Sequence, residues 1–202
     1  MPSAISRTSL VALCAATLLA ACSKRDNTAD STRMADSMAA MAPAPATNPT
    51  PAPAPALTDA NIAAILDNAD VADSTAGNTA STKGTNAEVK SFGRDMMRDH
   101  HALRKMGEDL VKKLGVTPEM PAGDNSVAQA KAWQDSLTSM PKGADWDKAY
   151  IAHEVAFHQA VIQTAQTAET AAQNAELKAL ITKAIPNLQA HLKHAQDIQG
   201  KL

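Results

Sequence analysis

The sequence predicts an all-α fold, an antiparallel four-helix bundle with an extra short helix. Three observations support this prediction. Apolar residues recur with a 3.6-residue period through residues 57–202. Alanine, the strongest helix former, is abundant in the same region. Aromatic residues make up only 2% of the chain, and the alternating apolar runs that are typical of strands do not occur.

The first two helices have recognisable ends. Thr58 is a suitable N-cap for a helix that should finish near Ser81. A second helix is expected to begin at a capping box formed by Thr85 and Glu88. Gly115 should end it, because glycine adopts the left-handed conformation of a helix C-terminus without strain.

Three further helices follow. A short one is expected over about residues 126–139, and Asp145 is expected to cap a long fourth helix. The last helix should run from about Asn174 to the C-terminus, with a kink at Pro186. The connections between the long helices are short and polar, which favours antiparallel neighbours in one bundle domain, residues 57–202.

Residues 1–21 are predicted to be a lipoprotein signal peptide. The apolar run over residues 10–21 is too short to span a bilayer as a stable helix. It ends in Leu19-Ala20-Ala21-Cys22, which resembles the bacterial lipobox and implies that the mature protein begins at a lipid-modified Cys22. Ser23 then favours an outer-membrane lipoprotein of the bacterial envelope, facing the periplasm or the cell surface. An ordinary secretory signal with a chance cysteine is the alternative.

Residues 22–56 are predicted to form a disordered tether, because they are rich in alanine and proline and have no apolar face to bury. The chain has two cysteines, of which Cys14 would leave with the signal and Cys22 would carry lipid. Cysteine catalysis and disulfides are therefore excluded from the bundle domain. A net charge of −2 provides no basic face, so nucleic acid is not an expected partner. The membrane is the expected partner, through lipid on Cys22, and no protein partner can be inferred.

Three histidines are the candidate functional residues. His100, His158 and His191 fall on three different helices, and each lies within the apolar stripe of its helix. An imidazole in the interior needs a hydrogen-bond network or a metal ion. Asp73 and Glu154 share the inward direction and would also need partners.

Two interpretations of this cluster remain open. In one, the three histidines bind a zinc, copper or iron ion, with Asp73 and Glu154 as weaker candidate ligands. In the other, the same rings form a buried polar layer that sets the register of the helices. Asp99 and Tyr150 would support either arrangement as hydrogen-bond partners.

The chain also resembles a known family of secreted bacterial proteins, domain of unknown function family 4142, whose members are called predicted outer membrane proteins. The resemblance rests on three elements: the stretch from Val89-Lys90-Ser91-Phe92 to Asp99-His100, Ala149-Tyr150 with His158 eight residues later, and Ile185-Pro186-Asn187-Leu188 ending at His191. It implies a ferritin-like bundle and recurrent histidines at these three positions. Gly93 stands where the family typically has alanine, and Glu154 where it has an apolar residue.

Three functions are compatible with the sequence. The favoured one is a lipid-anchored, non-enzymatic module of the envelope or of a stress response. The alternative is a metal-binding protein that uses the histidine cluster. A metal-dependent oxidoreductase or hydrolase is least favoured, because no nucleophile–base pair can be identified from the spacing. A di-iron site is not expected, because the chain has no Glu-x-x-His motif.

Overall fold

The computed structural model describes residues 56–202, and within them the protein is all-helical. Cys22, the signal peptide and residues 22–55 of the predicted tether lie outside the described residues. The five helices are α1 (Asp59–Lys83), α2 (Ala87–Leu114), α3 (Ser126–Ser139), α4 (Ala144–Ala171) and α5 (Ala175–Gln199). The all-α bundle with one short helix is therefore confirmed. None of the described helices is long and apolar enough to cross a membrane.

The four long helices form two hairpins. Three residues join α1 to α2 and three join α4 to α5, so each pair packs side by side along its length. Contacts of α2 with α5 and of α1 with α4 bring the hairpins together, and α3 packs on α1. The long connection from α2 reaches α3 by passing the start of α1, where Asn61 donates a hydrogen bond to the carbonyl oxygen of Glu119.

The start of α2 differs from its prediction. Asn86, not Thr85, is the N-cap, and its side chain accepts hydrogen bonds from the backbone N–H groups of Glu88 and Val89. Thr85 instead donates its backbone N–H to the buried carboxylate of Asp147 at 2.9 Å, and the N–H of Asn86 donates to it at 2.8 Å. The predicted capping box of Thr85 and Glu88 was wrong because this tertiary acceptor on α4 engages Thr85.

The other helix ends are close to their predicted positions. Thr58 forms a reciprocal capping box with Asn61 at the start of α1, and Gly115 ends α2 in the left-handed conformation. Helix α4 begins two residues earlier than expected, with Gly143 rather than Asp145 at the N-cap position. Helix α5 is continuous through Pro186.

The core has two regions. One surrounds Trp146, Tyr150 and Phe92, and the other is an aliphatic region around Ile62 and Ile181. Trp146 is fully buried. Phe157 of the same helix is only half-buried and lines a cavity.

The closest approach of α1 and α2 occurs at a pair of glycines. A methyl group added at Gly93 would lie 2.6 Å from the carbonyl oxygen of Gly77 and 2.8 Å from Cβ of Ala80. An alanine does not fit here without movement of the backbone. Gly93, where the family typically has alanine, thus allows the two helices to touch.

Candidate metal centre

The three imidazoles of the histidine cluster meet inside the bundle. His100 comes from α2, His158 from α4 and His191 from α5. Their ring centroids are separated by 5.7 Å between His100 and His158, 5.3 Å between His100 and His191, and 5.5 Å between His158 and His191. His100 and His158 are buried, and His191 is half-buried. Their inward positions agree with the helical periodicity.

His100 and His158 each have one nitrogen held from outside the cluster. Nδ1 of His100 is 2.8 Å from Oδ1 of Asp70, and Nδ1 of His158 donates to the backbone carbonyl oxygen of Glu154 at 3.0 Å. The donor hydrogen therefore lies on Nδ1 in both rings. The lone pair of a neutral imidazole is then on Nε2, which is the nitrogen that faces the cluster.

His191 has the same arrangement with its nitrogens exchanged. Its Nε2 lies 3.1 Å from Oδ2 of Asp99, which Arg98 also contacts. Nδ1 of His191 forms no hydrogen bond within the part of the chain that the structure describes. Asp99 thus partners both Arg98 and His191.

The three remaining nitrogens are buried and form no hydrogen bond within the described residues. They are Nε2 of His100, Nε2 of His158 and Nδ1 of His191. One potential ligand atom from each histidine lies within 4.8 Å of the other two. Nitrogens around a tetrahedral ion with bonds of about 2.1 Å are roughly 3.4 Å apart, so small side-chain rotations would close the gap.

Asp73 adds a carboxylate to the same place. Its Oδ2 lies 2.9 Å from Nε2 of His100 and 3.3 Å from Nε2 of His158. These are ion-pair distances, but neither oxygen of Asp73 meets the geometry of a hydrogen bond within the described residues. Asp73 is 2% exposed, so bulk solvent does not reach its oxygens. A buried carboxylate of this kind needs an ion or a donor.

Glu154 and Tyr150 lie on the α4 side of the cluster. Oε2 of Glu154 is 3.5 Å from Nδ1 of His158, and ligand atoms of Asp73, Glu154 and His158 form a second compact group. The hydroxyl of Tyr150 is buried beside Phe92 and Trp146 without a hydrogen bond among the described residues. Glu154 is placed where it could bind an ion, whereas Tyr150 is mainly a core residue.

The charges of His100 and Asp73 depend on each other. Burial alone would lower the pKa of His100, but the Asp73 carboxylate and the hydrogen bond to Asp70 outweigh it and raise that pKa to about 10. Burial would likewise raise the pKa of Asp73, but the positive charge of His100 lowers it to about 2. Without a metal ion, this pair is therefore an imidazolium and a carboxylate at neutral pH.

The neighbouring groups are neutral. Burial, together with the charge of His100, lowers the pKa values of His158 and His191. Burial and the charge of Asp73 raise the pKa of Glu154 well above its usual range. The cluster thus contains two neutral imidazoles ready to donate a lone pair, and a third that must first lose a proton.

Asp70 is the residue that sequence reasoning missed. It precedes Asp73 by three positions on α1, which places the two carboxylates on the same side of the helix. Asp70 is 7% exposed and holds the outer nitrogen of His100. Carboxylates that bind the second nitrogen of a histidine commonly orient metal ligands. Its spacing from Asp73 was the available signal.

The cluster can be reached from the surface between α2 and α5. A cleft of about 150 Å³ reaches it and is lined by residues that include Asp99, His100, Met106, Lys183 and His191. His191 lies on this open side, which accounts for its partial exposure. An ion could enter here without separation of the helices.

Comparisons with known proteins agree with the fold. A DUF305 fragment from Deinococcus radiodurans has a TM-score of 0.61 at 13% identity, covering 74% of this chain and 100% of that one. CopM in the Cu(II)-bound form has a TM-score of 0.59 at 17% identity, covering 73% of this chain and 99% of that one. At such low identity these similarities concern the fold alone. No curated protein matches the sequence. The family model of the domain of unknown function DUF4142 matches residues 42–198, and the chain therefore belongs to this family.

Proposed function

We propose that this protein binds one divalent transition-metal ion through His100, His158 and His191, with Asp73 as the fourth ligand. One observation carries the proposal. Each imidazole has one nitrogen held by an outer partner, while its other nitrogen is buried, forms no hydrogen bond among the described residues and lies within reach of the other two rings. This is the arrangement of metal-binding histidines, in which the outer partner sets the tautomer and the orientation of the ring.

The donor set favours particular ions. Three imidazoles and one carboxylate suit zinc, copper and iron, and Cu²⁺ should bind most tightly among the divalent ions of the first row. The Cu(II)-bound CopM, whose fold is similar, supports copper as the first ion to test. A di-iron centre is not proposed, because it would use several glutamates on facing helices, and the cluster has only Glu154.

The proposed role is metal binding or buffering in the bacterial envelope, without catalysis. Lipid on Cys22 would anchor the protein in the outer membrane, and the alanine- and proline-rich tether would separate the bundle from the membrane. The narrow cleft and four protein ligands suit retention of an ion better than turnover of a substrate, because catalytic sites usually keep one position open.

Isothermal titration calorimetry of the metal-free protein with Cu²⁺ and Zn²⁺ tests the proposal. The wild type should bind one ion, and His158→Gln should weaken binding by roughly a hundredfold or more, since a direct ligand is lost. His101→Gln is the matched control, because His101 neighbours His100 on α2 but is exposed. Its affinity should equal that of the wild type. Far-UV circular dichroism would confirm that each variant folds.

Electron paramagnetic resonance of the Cu²⁺-loaded protein provides a separate measurement. Superhyperfine splitting from three imidazole nitrogens is expected in the wild type, and splitting from fewer nitrogens in His158→Gln. A folded wild type with no stoichiometric metal, or with binding that His158→Gln leaves unchanged, would overturn the proposal. The cluster would then be a polar layer held by Asp70, Asp73 and Asp99.

A further inference from the structure

A second cavity lies on the side of Asp73 and Glu154 away from the cleft. It has a volume of about 440 Å³ and is enclosed by α1, α3 and α4. Small-molecule sites in proteins typically have volumes of roughly 300–1,000 Å³. This cavity, which we call the α3 cavity, is thus large enough for a compact organic molecule.

One wall of the α3 cavity is an aromatic stack. Trp133 of α3 lies parallel to His153 of α4, with 4.0 Å between ring centroids and 19° between planes. Phe157 continues the stack on His153, with 5.6 Å between centroids and 23° between planes. The wall therefore presents three aromatic side chains. Alanines and other aliphatic side chains of α1 line the cavity as well.

Apart from His153, the ionisable side chains that line the α3 cavity are acidic. Asp73, Asp124 and Glu154 line it, and its lining contains no lysine or arginine. Asp73 and Glu154 are 2% and 1% exposed, and each has a carboxylate oxygen without a hydrogen bond among the described residues. The indole N–H of Trp133 and the amide oxygen of Gln134 are also buried without a partner. Such groups call for a ligand or ordered water.

We propose that the α3 cavity binds a small organic cation with an apolar body, such as a primary or quaternary arylalkylamine. The cationic group would lie toward Asp73 and Glu154, and the body would contact Trp133 and Phe157. Aromatic faces attract a cation, the carboxylate of Asp73 adds electrostatic attraction, and an unpartnered oxygen of Glu154 can accept a hydrogen bond from an ammonium group. Like-charge repulsion disfavours anions, which find no basic partner in the lining. The inference shares Asp73 with the proposed metal centre but does not require a bound metal.

The test uses metal-free protein and three probes of similar size: 2-phenylethylamine, 2-phenylethanol and 3-phenylpropionate. Calorimetry should show that the amine binds about tenfold more tightly than the alcohol, the factor that corresponds to one cation–π or ion-pair contribution. The carboxylate should not bind measurably. In a two-dimensional NMR spectrum, the amine should shift the indole N–H of Trp133 and leave that of the fully buried Trp146 in place.

Two variants locate the site. Trp133→Leu should weaken binding of the amine by about tenfold, and Trp133→Phe should keep most of it because an aromatic face remains. Lys131→Ala is the control on the same helix, because Lys131 is exposed and pairs with Asp135 at the surface. It should bind the amine as the wild type does.

Failure of this inference can be distinguished from failure of the metal proposal. His191 does not line the α3 cavity, so His191→Gln should lose metal affinity and keep amine binding. Trp133→Leu should lose affinity for the amine and keep metal affinity. Equal binding of all three probes, or an unshifted Trp133 indole N–H in the wild type, would overturn the proposed organic-cation site even if Trp133→Leu failed to fold.

Discussion

Alanine at Gly93 and alanine at Gly107 should change the stability of this protein in opposite directions, although both glycines lie in α2. The Cβ atom of an alanine at 93 would lie 2.6 Å from the carbonyl oxygen of Gly77 and 2.9 Å from the backbone nitrogen of Ser81. Both neighbours are backbone atoms, so no side chain can rotate away. At Gly107 the same Cβ atom would meet nothing within 4 Å.

The expected magnitudes follow from this geometry. At Gly93, ordinary contact requires α1 and α2 to separate by roughly 1 Å, and overpacking of this kind typically costs about 1–3 kcal/mol. Alanine regains up to about 1 kcal/mol in helix propensity. Because two backbone atoms block the methyl group, we expect a cost at the upper end of that range, so Gly93→Ala should lower the free energy of unfolding by about 2 kcal/mol. Gly107→Ala should raise it by about 0.5–1 kcal/mol, because only the propensity gain applies.

Urea unfolding followed by circular dichroism at 222 nm measures both effects. Thermal unfolding should show the same signs, with a melting temperature roughly 4–8 °C lower for Gly93→Ala and a few degrees higher for Gly107→Ala. If Gly93→Ala were as stable as Gly107→Ala, the close crossing of α1 and α2 would not exist as described. The metal centre would be affected too, because this crossing sets the distance between Asp73 on α1 and His100 on α2.

Three further predictions concern charge and buried hydrogen bonds. His100, whose pKa is about 10 in the metal-free protein, must lose a proton when an ion binds. Calorimetry in buffers of different ionisation enthalpy should therefore detect about one released proton per ion at pH 7.5. Metal affinity should rise about tenfold per pH unit from pH 7 to 9. Metal affinity that does not change with pH would contradict this charge assignment. Asp70→Ala should weaken metal binding by roughly 10–100-fold, because it removes the hydrogen bond that orients His100 through Nδ1. Asp67→Ala should have no effect in the same titration, because Asp67 lies one turn earlier and pairs with Arg104 at the surface. Asp147→Ala should lower the free energy of unfolding in urea by roughly 2–4 kcal/mol, because it leaves the backbone donors at the start of α2 without an acceptor; a change under 1 kcal/mol would contradict that role.

The positions of the three histidines could be predicted because helical periodicity is a local property. A residue in the apolar stripe of a helix faces the interior whatever its neighbours are. His100, His158 and His191 satisfied that condition, and so did Asp73 and Glu154. Their role as metal ligands stays a prediction until an ion is measured.

Other features could not be obtained from periodicity, because they depend on two helices at once. Asp99 is half-exposed on α2, and only the approach of α5 makes it the partner of His191. The N-cap of α2 also depends on a second helix, because the carboxylate that accepts the backbone N–H of Thr85 belongs to Asp147 of α4. The stack of Trp133 on His153 joins residues of α3 and α4 that are twenty positions apart.

The sequence by itself determined five helices, their approximate ends and the inward side of each long helix, because these depend on residues within one or two turns. Tertiary structure alone decided which nitrogen of each imidazole is free, which carboxylate holds the other, and where a cavity remains beside them. The physical reason is that hydrogen-bond partners and cavities depend on the distances between packed helices. Gly77 and Gly93 set one such distance only because α1 and α2 cross exactly where both lack a side chain.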